Sequence, residues 1–229
     1  MRSPDGPTCI RTVLFDLDGT LADTAPDLAH ALNQTLAGQG RAPLPFEQIR
    51  PVVSHGGTAL LRLGFQIPAD TPEFEGLREQ FLQTYRRHIG DRTRLFPGID
   101  EVLAALQVQG LNWGVVTNKP RWLTEPLMAA LGLTARAASI VSGDSTTNRK
   151  PHPEPMLRAC REAGSDARHC LYVGDAERDI EAGRRAGMKT LVALFGYLGD
   201  DDHPETWQAD GMVKQPLEIL DWIKAHGNE

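Results

Sequence analysis

The chain has 229 residues, 41% of them hydrophobic and 24% charged, the proportions of an ordinary globular protein long enough to bury a full core. A formal net charge of −6 with no long basic run argues against nucleic acid as a partner, and no apolar run reaches membrane-spanning length. Cys9, Cys160 and Cys170 form no CxxC pair and fit reduced thiols; with a polar start from Met1 to Pro7 that lacks an apolar core, they place the chain in the cytoplasm as an expectation.

Taken in order, Val13, Leu14 and Phe15 read as a buried strand that runs into Asp16-Leu-Asp18-Gly-Thr20. Leu21 to Gly40 then changes period: Pro26 sits near a helix start, and Leu28, Leu32 and Leu36 recur every four residues. No strand run is visible from there to about Arg94. Phe46 to Val53 and Thr58 to Leu63 read as short helices on either side of Ser54-His55-Gly56-Gly57. Phe74, Leu77, Phe81 and Tyr85 mark a longer amphipathic helix from Pro72 to His88.

From Leu95 strands and helices alternate. The strands are Trp113 to Val116, Ser139 to Val141, Cys170 to Val173, Thr190 to Leu194 and Gly211 to Val213. The helices between them run from Glu101 to Gln109, Leu123 to Leu131, Pro153 to Ala163 and Glu177 to Ala186, with a closing helix from Leu217 to Ala225. Strands spaced by helices imply a Rossmann-like parallel α/β sheet. The expected organisation is a core of residues 1–24 and 95–229 with an inserted small α-helical cap of residues 25–94.

Ligands in such sheets sit outside the carboxyl ends of the strands, so the polar residues that follow strand runs belong together. If extended geometry lasts through Leu17, Asp16 and Asp18 point to one side. Two carboxylates held together repel, and must either share a proton or bind a cation; an oxygen-only cluster suits Mg²⁺. Thr117 and Asn118 follow a second strand, Asp175 and Asp179 a later one, and Lys150 lies on the loop between them. Singly, each has a plain structural alternative: an acidic turn, a helix cap, a solvated lysine. Their common edge is what sets them apart.

These residues carry a family resemblance. Asp16-Leu-Asp18-Gly-Thr20, Val115-Val116-Thr117-Asn118, Lys150-Pro151 and Gly174-Asp175 with Asp179-Ile180 resemble the four motifs of the haloacid dehalogenase superfamily, and the helical insertion resembles its small cap. Within it the sequence looks most like the phosphoglycolate phosphatase group. Trp113 to Pro120, followed by Thr124-Glu125-Pro126, is similar to the N-acetylmuramic acid 6-phosphate phosphatase branch of that group.

The resemblance implies a Mg²⁺-dependent phosphatase acting on a small phosphate ester through an aspartyl phosphate. Asp16 is then the nucleophile and Asp18 the general acid and base. Asp16, the Asp18 backbone carbonyl and Asp175 hold the metal, with Asp179 in an outer-sphere or lysine-orienting role. Thr117 and the Asn118 amide bind phosphoryl oxygens, and Lys150 supplies fixed positive charge. Asp18 favours phosphoryl transfer over C–Cl cleavage, because the dehalogenases lack an acid there. A sugar-phosphate mutase stays open, as does a phospho-accepting receiver, although the insertion and the early DxDGT disfavour the latter; no GxGxxG supports a dinucleotide module. In the cap, Gly56 and Gly57 are expected to allow close backbone approach to the phosphate site, with His55 or Arg50 contacting the leaving group; an ordinary interhelical turn is the alternative. Tyr197 is read as packing, with a place lining the site as the alternative. A monomer or homodimer is expected.

Overall fold

A computed structural model describes residues 9–69 and 71–226; the polar start from Met1 to Pro7 and the outer ends of the expected core lie outside them. At the centre lies β1 (Thr12–Phe15), whose four residues are all buried. Branched and aromatic side chains with no charge leave it no solvent face, as a strand covered on both sides requires. The others are β4 (Asn112–Val116), β5 (Ser139–Val141), β6 (Cys170–Gly174), β7 (Lys189–Ala193) and β8 (Gly211–Val213). Among the described residues they form one six-stranded sheet in the order β5-β4-β1-β6-β7-β8, with every pair parallel.

The period of two decides which face each side chain serves. Val13 and Phe15 join Val115, Leu171 and Val173 in the larger apolar core, with α5 (Ile99–Val108), α6 (Arg121–Ala130) and α9 (Glu218–His226). Leu14 points the other way, to Val116, Val141 and Tyr172, and meets Met156 and Ala159 of α7 (Glu154–Glu162) and Ala182 of α8 (Glu177–Ala186). The sheet is therefore covered on both faces, as the alternation of strands and helices predicts.

The remaining helices, α1 (Ala25–Gly38), α2 (Phe46–Ile49), α3 (Gly56–Phe65) and α4 (Pro72–Arg87), fall between two short strands, β2 (Ala22–Asp23) and β3 (Arg94–Leu95). α1 packs on α3 and α4, burying Leu28, Leu32 and Leu36 together with Phe74, Leu77, Phe81 and Tyr85. The antiparallel pair β2 and β3 is a feature the sequence did not announce, because two residues a side leave no periodicity to read. Asp23 and Thr24 consequently precede the first helix, which starts at Ala25, next to the Pro26 that marks its start in the sequence. The single helix expected over Phe46 to Val53 is corrected: α2 stops at Ile49 and a 3-10 turn covers Arg50–His55. Pro51 has no N–H to continue the α-helical ladder.

Candidate active site

Because β1 is flanked by β4 and β6, the loops leaving their carboxyl ends are neighbours. Asp16 follows β1, held by its N–H to the Val173 carbonyl at 2.9 Å; Thr117 follows β4, and Asp175 follows β6. Lys150 comes in from the loop between β5 and α7. Its Nζ is fully enclosed, 2.9 Å from Asp16 Oδ1 and 2.7 Å from Asp179 Oδ1. It also donates to the Val116 carbonyl and the Tyr172 hydroxyl, both at 2.8 Å. A lysine that loses all its water needs such a set of acceptors.

Asp16, Asp175 and Asp179 are buried, and one carboxylate oxygen from each lies within 4.8 Å of the others. Burial raises the Asp16 carboxyl above its ordinary range; Lys150 opposes this and Asp179 adds to it. Burial, then the charges of Asp16 and Asp179, push Asp175 up to about 7. Asp16 Oδ1 accepts from the Leu17 amide at 2.8 Å as well as from Lys150, whereas Oδ2 accepts no hydrogen bond from any described residue. A dry, mutually repelling, oxygen-only cluster with a spare oxygen fits a hard divalent cation.

The structure corrects the strand argument for Asp16 and Asp18. β1 ends at Phe15, and Leu17 to Leu21 form a turn in which Gly19 takes φ +86°. A Cβ at Gly19 would collide with the Asp175 carboxylate, so glycine is required twice over there. The two aspartates consequently diverge: Asp16 faces Lys150, and the Asp18 carboxylate lies outside the acidic cluster. Asp18 Oδ1 accepts from Lys119 Nζ at 2.8 Å and Thr24 Oγ1 at 2.6 Å. Both aspartates still line one cavity of about 360 Å³, with Thr117, Asn118 and Lys119 on the sheet side.

The other wall of that cavity comes from the helices between β2 and β3, including Leu28, Val53, Phe81 and Tyr85. Ser54, His55, Gly56 and Gly57 all reach it. Gly56 is needed for φ +83°, with open space around it, while Gly57, the second residue of α3, lies against Phe81. Backbone shape is thus the visible demand at Gly56, in place of the close approach expected. Arg50 does not line the cavity: its guanidinium lies 5.0 Å from the centre of the Tyr197 ring and donates to the Phe195 carbonyl. The 3-10 turn carries it to that side, which removes Arg50 from the leaving-group position.

Three placements differ in kind from the sequence argument. Asn118 turns its side chain into a clamp on Lys150, accepting from its N–H and donating to its carbonyl, each at 3.0 Å. Asp179 meets the cluster as the third residue of α8, and not through a helical i+4 relation to Asp175, which precedes the helix. One of its oxygens accepts from the Ala176 N–H at 3.1 Å and the other meets Lys150. Ser54 Oγ donates to Asp175 Oδ2 at 2.6 Å, where the Tyr197 N–H also donates; Thr20 holds Oδ1. The sequence gives no separate signal for the Ser54–Asp175 and Lys119–Asp18 contacts beyond adjacency to His55 and Asn118, and Tyr85 on the cavity wall reads as part of its apolar stripe.

Fold and site together define an α/β enzyme core with a carboxylate centre at the end of its first strand. The chain belongs to the haloacid dehalogenase-like hydrolase family, whose model matches residues 13–193. It is 47% identical over 206 residues, 90% of each chain, to a phosphoglycolate phosphatase of Xylella fastidiosa. It is 44% identical over 212 residues, 93% of this chain and 94% of the other, to an N-acetylmuramic acid 6-phosphate phosphatase of Pseudomonas aeruginosa. A solved structure of a predicted phosphoglycolate phosphatase from Haemophilus somnus superposes with a TM-score of 0.83 at 28% identity, covering 95% of this chain and 99% of that one. No helix among the described residues is long and apolar enough to cross a membrane.

Proposed function

We propose that the protein is a cytoplasmic, Mg²⁺-dependent phosphoric monoester hydrolase acting on a small phosphate ester of the kind its relatives are named for, phosphoglycolate or N-acetylmuramic acid 6-phosphate. The observation that carries this reading is the buried junction of Asp16, Lys150, Asp179 and Asp175 beside a cavity that also receives Asp18. Residues 25–94 serve as the cap and the rest of the chain as the catalytic core.

In this reading Asp16 Oδ2, the oxygen left without a hydrogen bond, attacks phosphorus. The ester P–O bond breaks and the departing alkoxide takes a proton from Asp18. Asp18 then accepts a proton from water, which attacks the aspartyl phosphate and releases inorganic phosphate with Asp16 restored. Thr117 Oγ1 and the Asn118 N–H bind the equatorial oxygens. Lys150 favours the ionised form of Asp16 against its burial and offsets the charge gathering on the phosphoryl group. Asp16, Asp175 and the Asp18 carbonyl would hold Mg²⁺, with Asp179 orienting Lys150. When bound, the ion supplies charge neutralisation between nucleophile and phosphate dianion. Lys119 fixes the Asp18 side chain, and His55, Gly56 and Gly57 close the cavity over the leaving group.

A phosphate-release screen across phosphomonoesters, with and without Mg²⁺ and with Asp16→Asn as the blank, tests this. The expected result is metal-dependent release that Asp16→Asn abolishes. Release that persists in Asp16→Asn would overturn the assignment of the nucleophile, and transfer to a sugar hydroxyl in place of water would make the protein a mutase.

A further inference from the structure

The cap wall of the cavity holds a polar group with nothing to bond. Tyr85, near the end of α4, is wholly buried, lines the cavity, and its hydroxyl has no hydrogen-bond partner among the described residues. A buried hydroxyl in that state costs about 1–3 kcal/mol, so a partner supplied from outside is worth that much. Burial pushes the Tyr85 phenol up to about 12, which keeps its proton available for donation at neutral pH.

Lys119 completes the arrangement. Its Nζ sits 4.6 Å from the centre of the Tyr85 ring and donates to Asp18 Oδ1 at 2.8 Å. An ammonium has three protons, so Lys119 still has donors to spend. Burial works against this cation, but Asp18 and Tyr85 together outweigh it and hold its pKa above the ordinary lysine value. Asp18 is the group that protonates the departing oxygen in the reading above, so donors beside it stand beside the first atoms of the leaving group. The charged lining as a whole is Asp16 and Asp18 against Arg78, Lys119, Arg149 and Arg178, a cationic surplus that favours an anionic occupant.

We infer that Tyr85 Oη and Lys119 Nζ form a two-donor subsite for a carboxylate carried next to the ester carbon, which makes the substrates phosphate monoesters of 2-hydroxy acids. The inference rests on the hydrolase reading. It assigns specificity to a cap residue and a core residue acting together, so the preference exists only while the cap is seated. The cavity beyond this subsite exceeds what a two-carbon acid fills, and the subsite reads only the atoms nearest the scissile bond.

The test compares kcat/KM for phosphoglycolate and for ethyl phosphate, which has the same carbon count and no carboxylate, in the wild type and in Tyr85→Phe. The phenylalanine keeps the ring and removes the hydroxyl alone. The ratio of the two constants is expected to fall about tenfold, the scale of one lost hydrogen bond to a charged group. N-acetylmuramic acid 6-phosphate, whose carboxylate is remote from its phosphate, is expected to follow ethyl phosphate. An unchanged ratio, with or without a general loss of activity, overturns the subsite and leaves Tyr85 a packing residue. Calorimetric titration of Asp16→Asn and Asp16→Asn/Tyr85→Phe with the same compounds reads the subsite without turnover. A binding preference for phosphoglycolate that vanishes in the double variant supports it even if no compound is hydrolysed, an outcome that faults the hydrolase reading alone; no preference in either variant overturns the subsite.

Discussion

At the scale of single residues, the chemistry hangs on how few partners each buried charge has. Lys150 is the one cation within ion-pairing distance of Asp16 and Asp179 among the described residues, and both those carboxylates are buried. Replacing it with methionine leaves two desolvated carboxylates facing each other. We expect Lys150→Met to lose about 3–5 kcal/mol of stability in denaturant melts together with its phosphatase activity. A Lys150→Met protein as stable as the wild type would show that the cluster is solvated in solution. Asp16, Lys150 and Asp175 are legible in the sequence only together: each alone has a plain structural alternative, and their placement at one edge of a parallel sheet is what sets them apart. Tyr85 was illegible because a tyrosine at helical spacing with Phe74, Leu77 and Phe81 is indistinguishable from core, and only its bare hydroxyl sets it apart.

Asp175 gives the second residue-scale prediction. A carboxyl that ordinarily titrates near 3.8 and is held at about 7 binds its proton more tightly in the folded chain than in the unfolded one. Between those values the folded form carries the extra proton, so raising the pH through the window removes stability. Without divalent metal, the Tm of the wild type is expected to fall between about pH 5 and pH 7.5, and that of Asp175→Asn to fall less. Added Mg²⁺ should recover the wild type at the upper end and do little for the variant. A wild-type Tm that rises over the same range would contradict the burial that sets this group's behaviour.

At the scale of elements, the 3-10 turn Arg50–His55 matters more than its length suggests. Broken off from α2 at Pro51, it delivers Ser54 to Asp175 and turns Arg50 away to Tyr197. A helix continued through Val53, as periodicity predicts, has no reason to place these two side chains on opposite errands. Ser54 Oγ is thus a hydrogen-bond donor from the segment between β2 and β3 to a carboxylate of the acidic cluster. Ser54→Ala is expected to weaken Mn²⁺ binding about 10-fold or more, measured by electron paramagnetic resonance, as loss of an outer-shell partner does. Unchanged Mn²⁺ affinity would mean that the Tyr197 amide and Thr20 suffice to hold Asp175. The sheet was far easier to read than this turn, since uncharged strand runs such as Val13 to Phe15 and Cys170 to Val173 leave few other conformations open to them.

At the scale of the whole molecule, a chain with net charge −6 gathers Arg78, Lys119, Arg149 and Arg178 around one cavity. An anionic ester is therefore attracted locally by a protein that repels it on average, and kcat/KM should fall with added salt. The parallel pairing and the covering of both sheet faces followed from the alternation of elements, which leaves the order of the strands open. The ribbon of β2 and β3 did not, because a pairing of two residues a side is set by where the chain must return and not by its own composition.

That ribbon has a consequence for how the molecule can vary. The polypeptide departs at Ala22–Asp23 and comes back at Arg94–Leu95 along the same seam, so everything between is an excursion with a single root. Such an excursion can be lengthened, shortened or exchanged without rethreading the sheet. Asp16, Lys150 and Asp175 all lie outside it, so the carboxylate centre stays fixed while the wall that faces it is free to diverge.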